Sequence, residues 1–410
     1  MKDFKNNILK DIKNLYRCHG LWLIIFLTML YTIAMSVHVY IKIFSCFIFL
    51  FFYFNKIKID RVLILFSILY TIIAILTGAL KSNFEGISYI LSPITFYCFG
   101  RLVVCRSKQK EEIATFFLLL VVASCIMIWD INIQDAKVNG LVNVFREVDI
   151  DGRALSATGQ GLIVSLGFIG LAYFISRRCY VNFKSILFLF VSLLSLFVVI
   201  HLINRTGIIV LAFTIIITML YSSRDNYKTI LFVVLSMTII YYFLTMSGVI
   251  NTDVFDSYEQ RNLATNSSAE SAGGRMGLWE QSLTNLINYP WGWSKYNDFY
   301  CHNMWLDIAR CAGWIPFIII VAFTFKHLVI IFKLFRIRND WFIGFLIGIN
   351  GCLILSSFVE PVLELSSTYF CIICLVWGVQ QQYYCQIKRN LQNDYNYKLL
   401  GNYVKSDIYS

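Results

Sequence analysis

Charge is what this sequence has least of. Asp, Glu, Lys and Arg make up 14% of its 410 residues, against roughly a quarter in an average soluble domain. The shortage excludes intrinsic disorder, which needs high charge and few apolar residues, and it argues against a water-soluble enzyme under a charged skin. No cleavable signal peptide is expected, because the first 20 residues are polar and the apolar segment after them lacks a convincing small-residue cleavage site. No disulfide framework is expected, because of the 12 cysteines only Cys301 falls clearly on the outer side. Cys371 and Cys374 have CxxC spacing but stand in an apolar helix without acidic or His neighbours, and read as packing rather than metal or redox chemistry. No repeat relates residues 1–200 to 201–410, which counts against a transporter built from duplicated halves.

What fills the chain is hydrophobic: 58% of it is apolar or aromatic. A bilayer core of ~30 Å is crossed by about 20 helical residues. Candidate spans fall at 21–37, 39–54, 62–80, 86–104, 113–129, 156–175, 185–203, 207–221, 229–247, 304–325, 341–357 and 367–385. The expected fold class is therefore an all-α polytopic membrane protein of about 12 spans, a single integral membrane domain over 1–410 with a long outer loop at 248–303 and a tail at 386–410.

Orientation follows from the cations. Of the 35 Lys and Arg residues, 24 lie at the termini and in alternate connections, such as Lys56, Lys58, Arg106, Lys108, Arg177, Arg178, Lys333 and Arg336, against nine in the other connections. The positive-inside rule places both termini in the cytoplasm. The net charge of +11 is then a matter of topology, and no nucleic-acid partner is needed to explain it.

Two outer connections, 130–155 and 248–303, are long, and long connections are uncommon unless they do something. Within the second, Met276, Trp279, Leu283, Leu286 and Ile287 recur at helical spacing, which predicts an amphipathic helix over 275–288 with Arg275 in its first turn. Tyr289-Pro290-Trp291-Gly292-Trp293 follows, with breakers to stop the helix and aromatics suited to the headgroup level. Between Lys184 and Arg224 the only charge is Arg205. That stretch would be about 58 Å long as one helix, twice a bilayer core, so it must be a hairpin with Asn204-Arg205-Thr206-Gly207 at its outer tip. His302 ends the outer loop where a span begins, a depth at which a neutral imidazole can take a proton from a hydroxyl. Asp307 and Arg310 are spaced to pair within one helix. His19 and His327 read as cytoplasmic, while His38 and His201 lie at span ends without charged neighbours in sequence.

Two arginines and one histidine are thus expected at one outer face. Guanidinium groups match phosphate oxygens and stay charged at every relevant pH. The combination suggests glycosyl transfer from a polyprenyl pyrophosphate sugar, with Arg205 and Arg275 neutralising the departing diphosphate and His302 deprotonating the attacking hydroxyl.

Three pieces carry a family resemblance: Asn204-Arg205-Thr206-Gly207 opening a span, Gly274-Arg275 through Trp279 to Asn288-Tyr289-Pro290-Trp291-Gly292, and His302-Asn303 with Leu306 and Gly313. In order, spacing and sidedness they resemble the signature of the bacterial O-antigen polymerase and O-antigen ligase superfamily over residues 200–325; the other spans match only in number and hydropathy. The resemblance implies a GT-C-like, metal-independent, inverting transferase without cofactor. It would use undecaprenyl pyrophosphate-linked oligosaccharide at the periplasmic face of the bacterial inner membrane, alongside membrane lipid and a polysaccharide chain-length regulator. It implies diphosphate contacts at Arg205 and Arg275 and the base at His302. Asn303, Arg310 and Arg153 are candidate supporting residues, as is Glu360, which resembles an acidic position of the family. The short interval from Tyr289 to His302 and the continuation Leu306-Asp307-Ile308-Ala309-Arg310 look more like a repeat-unit polymerase than a ligase that delivers polymer to the lipid A core. Two other classes compete: a metal-dependent transferase using Asp149 and Asp151, whose DxD spacing lies in an outer loop away from nucleotide sugars, and a lipid-linked oligosaccharide flippase.

Overall fold

The computed structural model describes residues 39–53, 59–76, 83–140, 147–150, 153–223, 275–296, 301–337, 340–360 and 367–408, with residues 10, 13, 299 and 362 in isolation. The spans expected at 21–37 and 229–247, residues 248–274 of the long loop and residues His19, His38 and Asp151 lie outside the described residues.

Thirteen α-helices and one short hairpin stand among the described residues: α1 Val39–Tyr53, α2 Arg61–Leu76, α3 Asn83–Arg106, α4 Lys110–Asn139, the antiparallel strands β1 Glu147–Ile150 and β2 Arg153–Ser156, then α5 Ala157–Val164, α6 Ile169–Ser176, α7 Phe183–His201 and α8 Arg205–Ser222. After these come α9 Arg275–Asn288, α10 Met304–Ala312, α11 Trp314–Phe335, α12 Trp341–Val359 and α13 Ser367–Ile408. A 3₁₀ turn, Ser165–Phe168, joins α5 to α6 into one continuous apolar stretch. Among the described residues, seven such stretches are long and apolar enough to cross a membrane, and the architecture is that of a multi-pass helical membrane protein.

Local chemistry sets the helix ends. The side chains of Asn182, Asn204, Asn303 and Asp340 each accept a hydrogen bond from a backbone N–H in the first turn of α7, α8, α10 and α12, filling donors that a helix N-terminus otherwise leaves without partners. Glu111 and Glu112 open α4 and Lys137 lies in its last turn, each on the favourable side of the helix dipole. Glycines set how closely helices approach. A Cβ added to Gly100 would stand 2.0 Å from the Leu375 carbonyl oxygen, and one on Gly378 would stand 2.1 Å from that of Tyr97. The α3 and α13 backbones therefore touch, the small-residue packing that replaces hydrophobic force where the surroundings are lipid.

Polar contacts sort the helix termini into two ends. At one end Lys110 pairs with Asp340 at 2.9 Å, Arg177 with Glu111 at 3.5 Å, and Arg101 with Asp60 through two bonds of 3.0 and 2.6 Å. At the other, Asp135 meets His201 at 2.8 Å, the Asn204 side chain donates to the Ala157 carbonyl at 2.9 Å, and Arg275 reaches Glu360. Spans successive in the chain thus alternate in direction, and most cations among the described residues gather at the first end.

The structure changes the sequence expectations for the span at 304–325 and for His327. The span expected at 304–325 is two helices, because Gly313 adopts φ +77° and ends α10 after nine residues before α11 begins. A side chain at that position would meet the Pro290 carbonyl oxygen at 2.0 Å, so glycine alone allows the Tyr289–Gly292 turn to pack into the break. The last span and the segment expected as a tail from 386 form one helix, since α13 runs on to Ile408. His327, read as cytoplasmic, is buried within α11, stacked on Trp377 with ring centroids 4.8 Å apart. His201, without charged neighbours in sequence, is buried against Asp135, which α4 supplies from 66 residues away.

Candidate active site

At the end of the bundle opposite the cation-rich one, α8, α9, α10 and α12 bring their termini together. Three side chains anchor the body of α9 there: Trp279 Nε1 donates to the Cys301 carbonyl at 2.9 Å, Ser282 Oγ donates to Cys301 Sγ at 3.0 Å, and Leu286 is buried beside Trp293, Leu306 and Ala309. The broad apolar stripe read from the sequence is therefore divided. Trp279 and Leu286 face the protein, whereas Met276, Leu283 and Ile287 are exposed, as is Trp291, apolar surface of the kind found at a membrane boundary.

The anchoring fixes Arg275, the first residue of α9. Its Nη1 donates to Thr206 Oγ1 at 3.0 Å and its Nη2 to Glu360 Oε1 at 3.0 Å. Thr206 is the second residue of α8, held in place because Asn204 caps the helix and bonds to α5. Glu360 directly follows α12 and is the hub: its second oxygen lies 3.5 Å from His302 Nδ1, and neither of those two atoms has a hydrogen-bond partner among the described residues. The Glu360 side chain is 3% exposed, Arg275 20% and His302 32%. A buried carboxylate thus stands behind a cation and an imidazole that solvent can reach.

His302 itself is held by its neighbours. It adopts φ +51°, the left-handed region that costs a non-glycine residue about 1–2 kcal/mol. The strain is held by Asp307, which is buried and accepts from the Cys301 amide at 2.7 Å with one oxygen and from the Asn303 amide at 3.1 Å with the other. One carboxylate therefore grips the chain on both sides of the histidine. Asn303 ties this arch to α12 by donating to the Phe358 carbonyl at 3.1 Å, two residues before Glu360. Burial, followed by the nearby Asp307 charge, pushes the Cys301 thiol up to about 12, so it is inert at neutral pH.

Of the residues singled out from sequence, Arg275, His302 and Glu360 meet directly. Arg205 opens α8, one residue before Thr206, and is half-buried. Asn303 supports the arch rather than the pocket. Arg310 is buried with its Nε 3.8 Å from Asp307 Oδ1, the pairing expected from their spacing. Arg153 lies in β2 opposite Ile150, and its side chain is outside the described residues. Thr206 and the bonding of Asp307 to two amides carried no sequence signal: the first contact joins residues 69 apart, and the second departs from any capping motif.

A cavity of about 970 Å³ opens at the cation-rich end among Arg177, Arg178, Tyr221, Ser222 and Trp341. Its one carboxylate, Asp340, is already bonded to Lys110 and Tyr383, and no histidine lines it. Acid–base chemistry therefore fits the Arg275–His302–Glu360 group better than this cavity. Among the described residues no set of three or more His, Cys, Asp or Glu side chains is arranged to hold a metal ion. Neither a protein-family model nor a curated protein matches this chain.

Proposed function

We propose that the protein is a glycosyltransferase that polymerises oligosaccharide repeat units carried on undecaprenyl pyrophosphate. The single observation that carries this reading is the meeting of Arg275, His302 and Glu360 beside the Arg205–Thr206 helix start, at the end of the bundle away from most of the cations. By the positive-inside rule that end faces the periplasm, with both termini in the cytoplasm of a bacterial inner membrane and 12 spans in a GT-C-like arrangement.

In this reading Arg275 and Arg205 hold the two phosphates of the donor and offset the charge that grows on them as the glycosidic bond breaks. His302 takes the proton of the acceptor hydroxyl, a contribution of about 10² to 10⁴ in rate. Attack from the face opposite the diphosphate inverts the anomeric centre. The cationic work falls to guanidinium groups, and no metal or other cofactor is invoked. The exposed apolar face of α9, with Met276, Leu283, Ile287 and Trp291, lies where a polyprenyl chain would arrive from the bilayer.

The test is the pool of lipid-linked products in cells carrying His302→Ala, with protein levels in the membrane matched to wild type. Single repeats on the lipid carrier are expected. Long polymer left unattached would instead indicate a ligase acting on the lipid A core, and carrier trapped on the cytoplasmic leaflet would indicate a flippase.

A further inference from the structure

We infer that Glu360 is a positioning residue that changes partner with the state of the site: it clamps Arg275 when the site is empty, and orients His302 when a diphosphate takes Arg275 away. The inference rests on the proposed transferase reading and adds a coupling between donor binding and the base.

The geometry is that of a carboxylate divided between two claims. Oε1 is committed to the Arg275 guanidinium at 3.0 Å, while Oε2 faces His302 Nδ1 at 3.5 Å, short of a hydrogen bond although both atoms are buried without another partner among the described residues. A buried donor and acceptor left apart cost free energy that a small movement would recover. The Arg275 contact draws the carboxylate toward the guanidinium and leaves Oε2 short of the imidazole. A diphosphate offers Arg275 more negative charge and more acceptor oxygens than one carboxylate does. Once Arg275 turns to it, Glu360 is left buried with a full charge, and the nearest donor is the Nδ1–H of His302. That bond fixes the tautomer in which Nδ1 carries the proton and Nε2 has a free lone pair. The base is thereby oriented only when a donor substrate is present, and an empty site does not activate stray hydroxyls.

The transfer step balances. The anomeric carbon–oxygen bond to the diphosphate breaks, with its electron pair leaving on the diphosphate oxygen. A bond forms between the acceptor oxygen and the anomeric carbon, and the hydroxyl proton passes to His302 Nε2. Glu360 then faces an imidazolium, whose charge it stabilises until the proton is released to water.

The experiment uses the full chain in phosphatidylcholine nanodiscs with farnesyl diphosphate as the probe. Glu360→Gln is expected to bind the probe about tenfold more tightly than wild type, because it removes the rival anion, yet to turn over lipid-linked oligosaccharide at least tenfold more slowly. A residue that only supported the fold would weaken both. In protein carrying ¹⁵N-histidine, with His302 assigned by His302→Gln, the probe is expected to drive His302 into the Nδ1-protonated tautomer in wild type and not in Glu360→Gln. If the Gln variant does not fold, Glu360→Asp keeps the charge with a shorter reach, and is expected to bind the probe while losing the tautomer response. Arg275→Gln separates the two levels of the argument. Should it abolish probe binding while Glu360→Gln binds no more tightly, or while the wild-type tautomer ignores the probe, the partner exchange is wrong and the transferase reading stands. Should wild type fail to bind the probe, or bind it regardless of Arg275, the reading fails and takes the exchange with it.

Discussion

Removing the Asp307 carboxylate should open the arch that presents His302. In Asp307→Ala the amides of Cys301 and Asn303 lose acceptors at 2.7 and 3.1 Å, and the site is too buried for water to replace them readily. A hydrogen bond to a charged group contributes about 1.5–3 kcal/mol, so losing two costs about 3–6 kcal/mol, part of which returns as His302 leaves its left-handed backbone. Asp307→Asn keeps one acceptor oxygen and should lose about half as much. The readouts are thermal unfolding in nanodiscs and hydrogen exchange at the two amides, with transferase activity followed in parallel. Exchange at Cys301 and Asn303 should accelerate before the bundle melts, and activity should fall by about the 10² to 10⁴ attributed to a positioned base. If Asp307→Ala unfolds within about 1 kcal/mol of wild type and both amides stay protected, the carboxylate does not hold the arch and the account of His302 is wrong.

Two further outcomes follow from the charges. Burial alone would raise the Asp60 carboxyl, but the Arg101 hydrogen bonds and charge outweigh it and hold the group below its ordinary value. Its folded value is thus the lower one, so the stability it contributes is present above the unfolded value of about 4 and fades as pH falls below it. Thermal unfolding of wild type between pH 7 and pH 3 should show this loss, and Asp60→Asn should be less stable at neutral pH with a flatter acid limb; identical limbs would refute the pairing. Cys301, pushed up to about 12, is ionised to about one part in 10⁴ at pH 8. In single-cysteine variants it should resist iodoacetamide in the folded protein and react on unfolding, whereas the exposed Cys179 is alkylated in the native state; rapid native labelling of Cys301 would show that α9 does not seal it.

The bundle was legible because a bilayer leaves few choices. A backbone in hydrocarbon must satisfy its own hydrogen bonds, so the apolar runs at 86–104 and 341–357 reappear as Asn83–Arg106 and Trp341–Val359. The same rule hid the break at Gly313, because Cys311-Ala-Gly-Trp-Ile-Pro316 is apolar throughout and hydropathy does not register a positive φ. For the candidate site, residue type and loop position were enough to single out Arg275 and His302, since charge and imidazole near a membrane face are uncommon. The reason they act on each other was not readable. Glu360 joins Arg275 across 85 positions, Thr206 joins it across 69, and the Asp135–His201 pair spans 66. These contacts depend on how helix ends meet, a property of packing that no local pattern encodes.

The left-handed backbone at position 302 sets fitness for folding against fitness for chemistry. Glycine or asparagine would sit there with less strain, so variants chosen only for heat resistance should drift away from histidine. Variants chosen for product should keep it and tolerate a less robust fold. Retention of a conformationally awkward side chain under the second regime, and its loss under the first, would mark that residue as kept for what it does to another molecule.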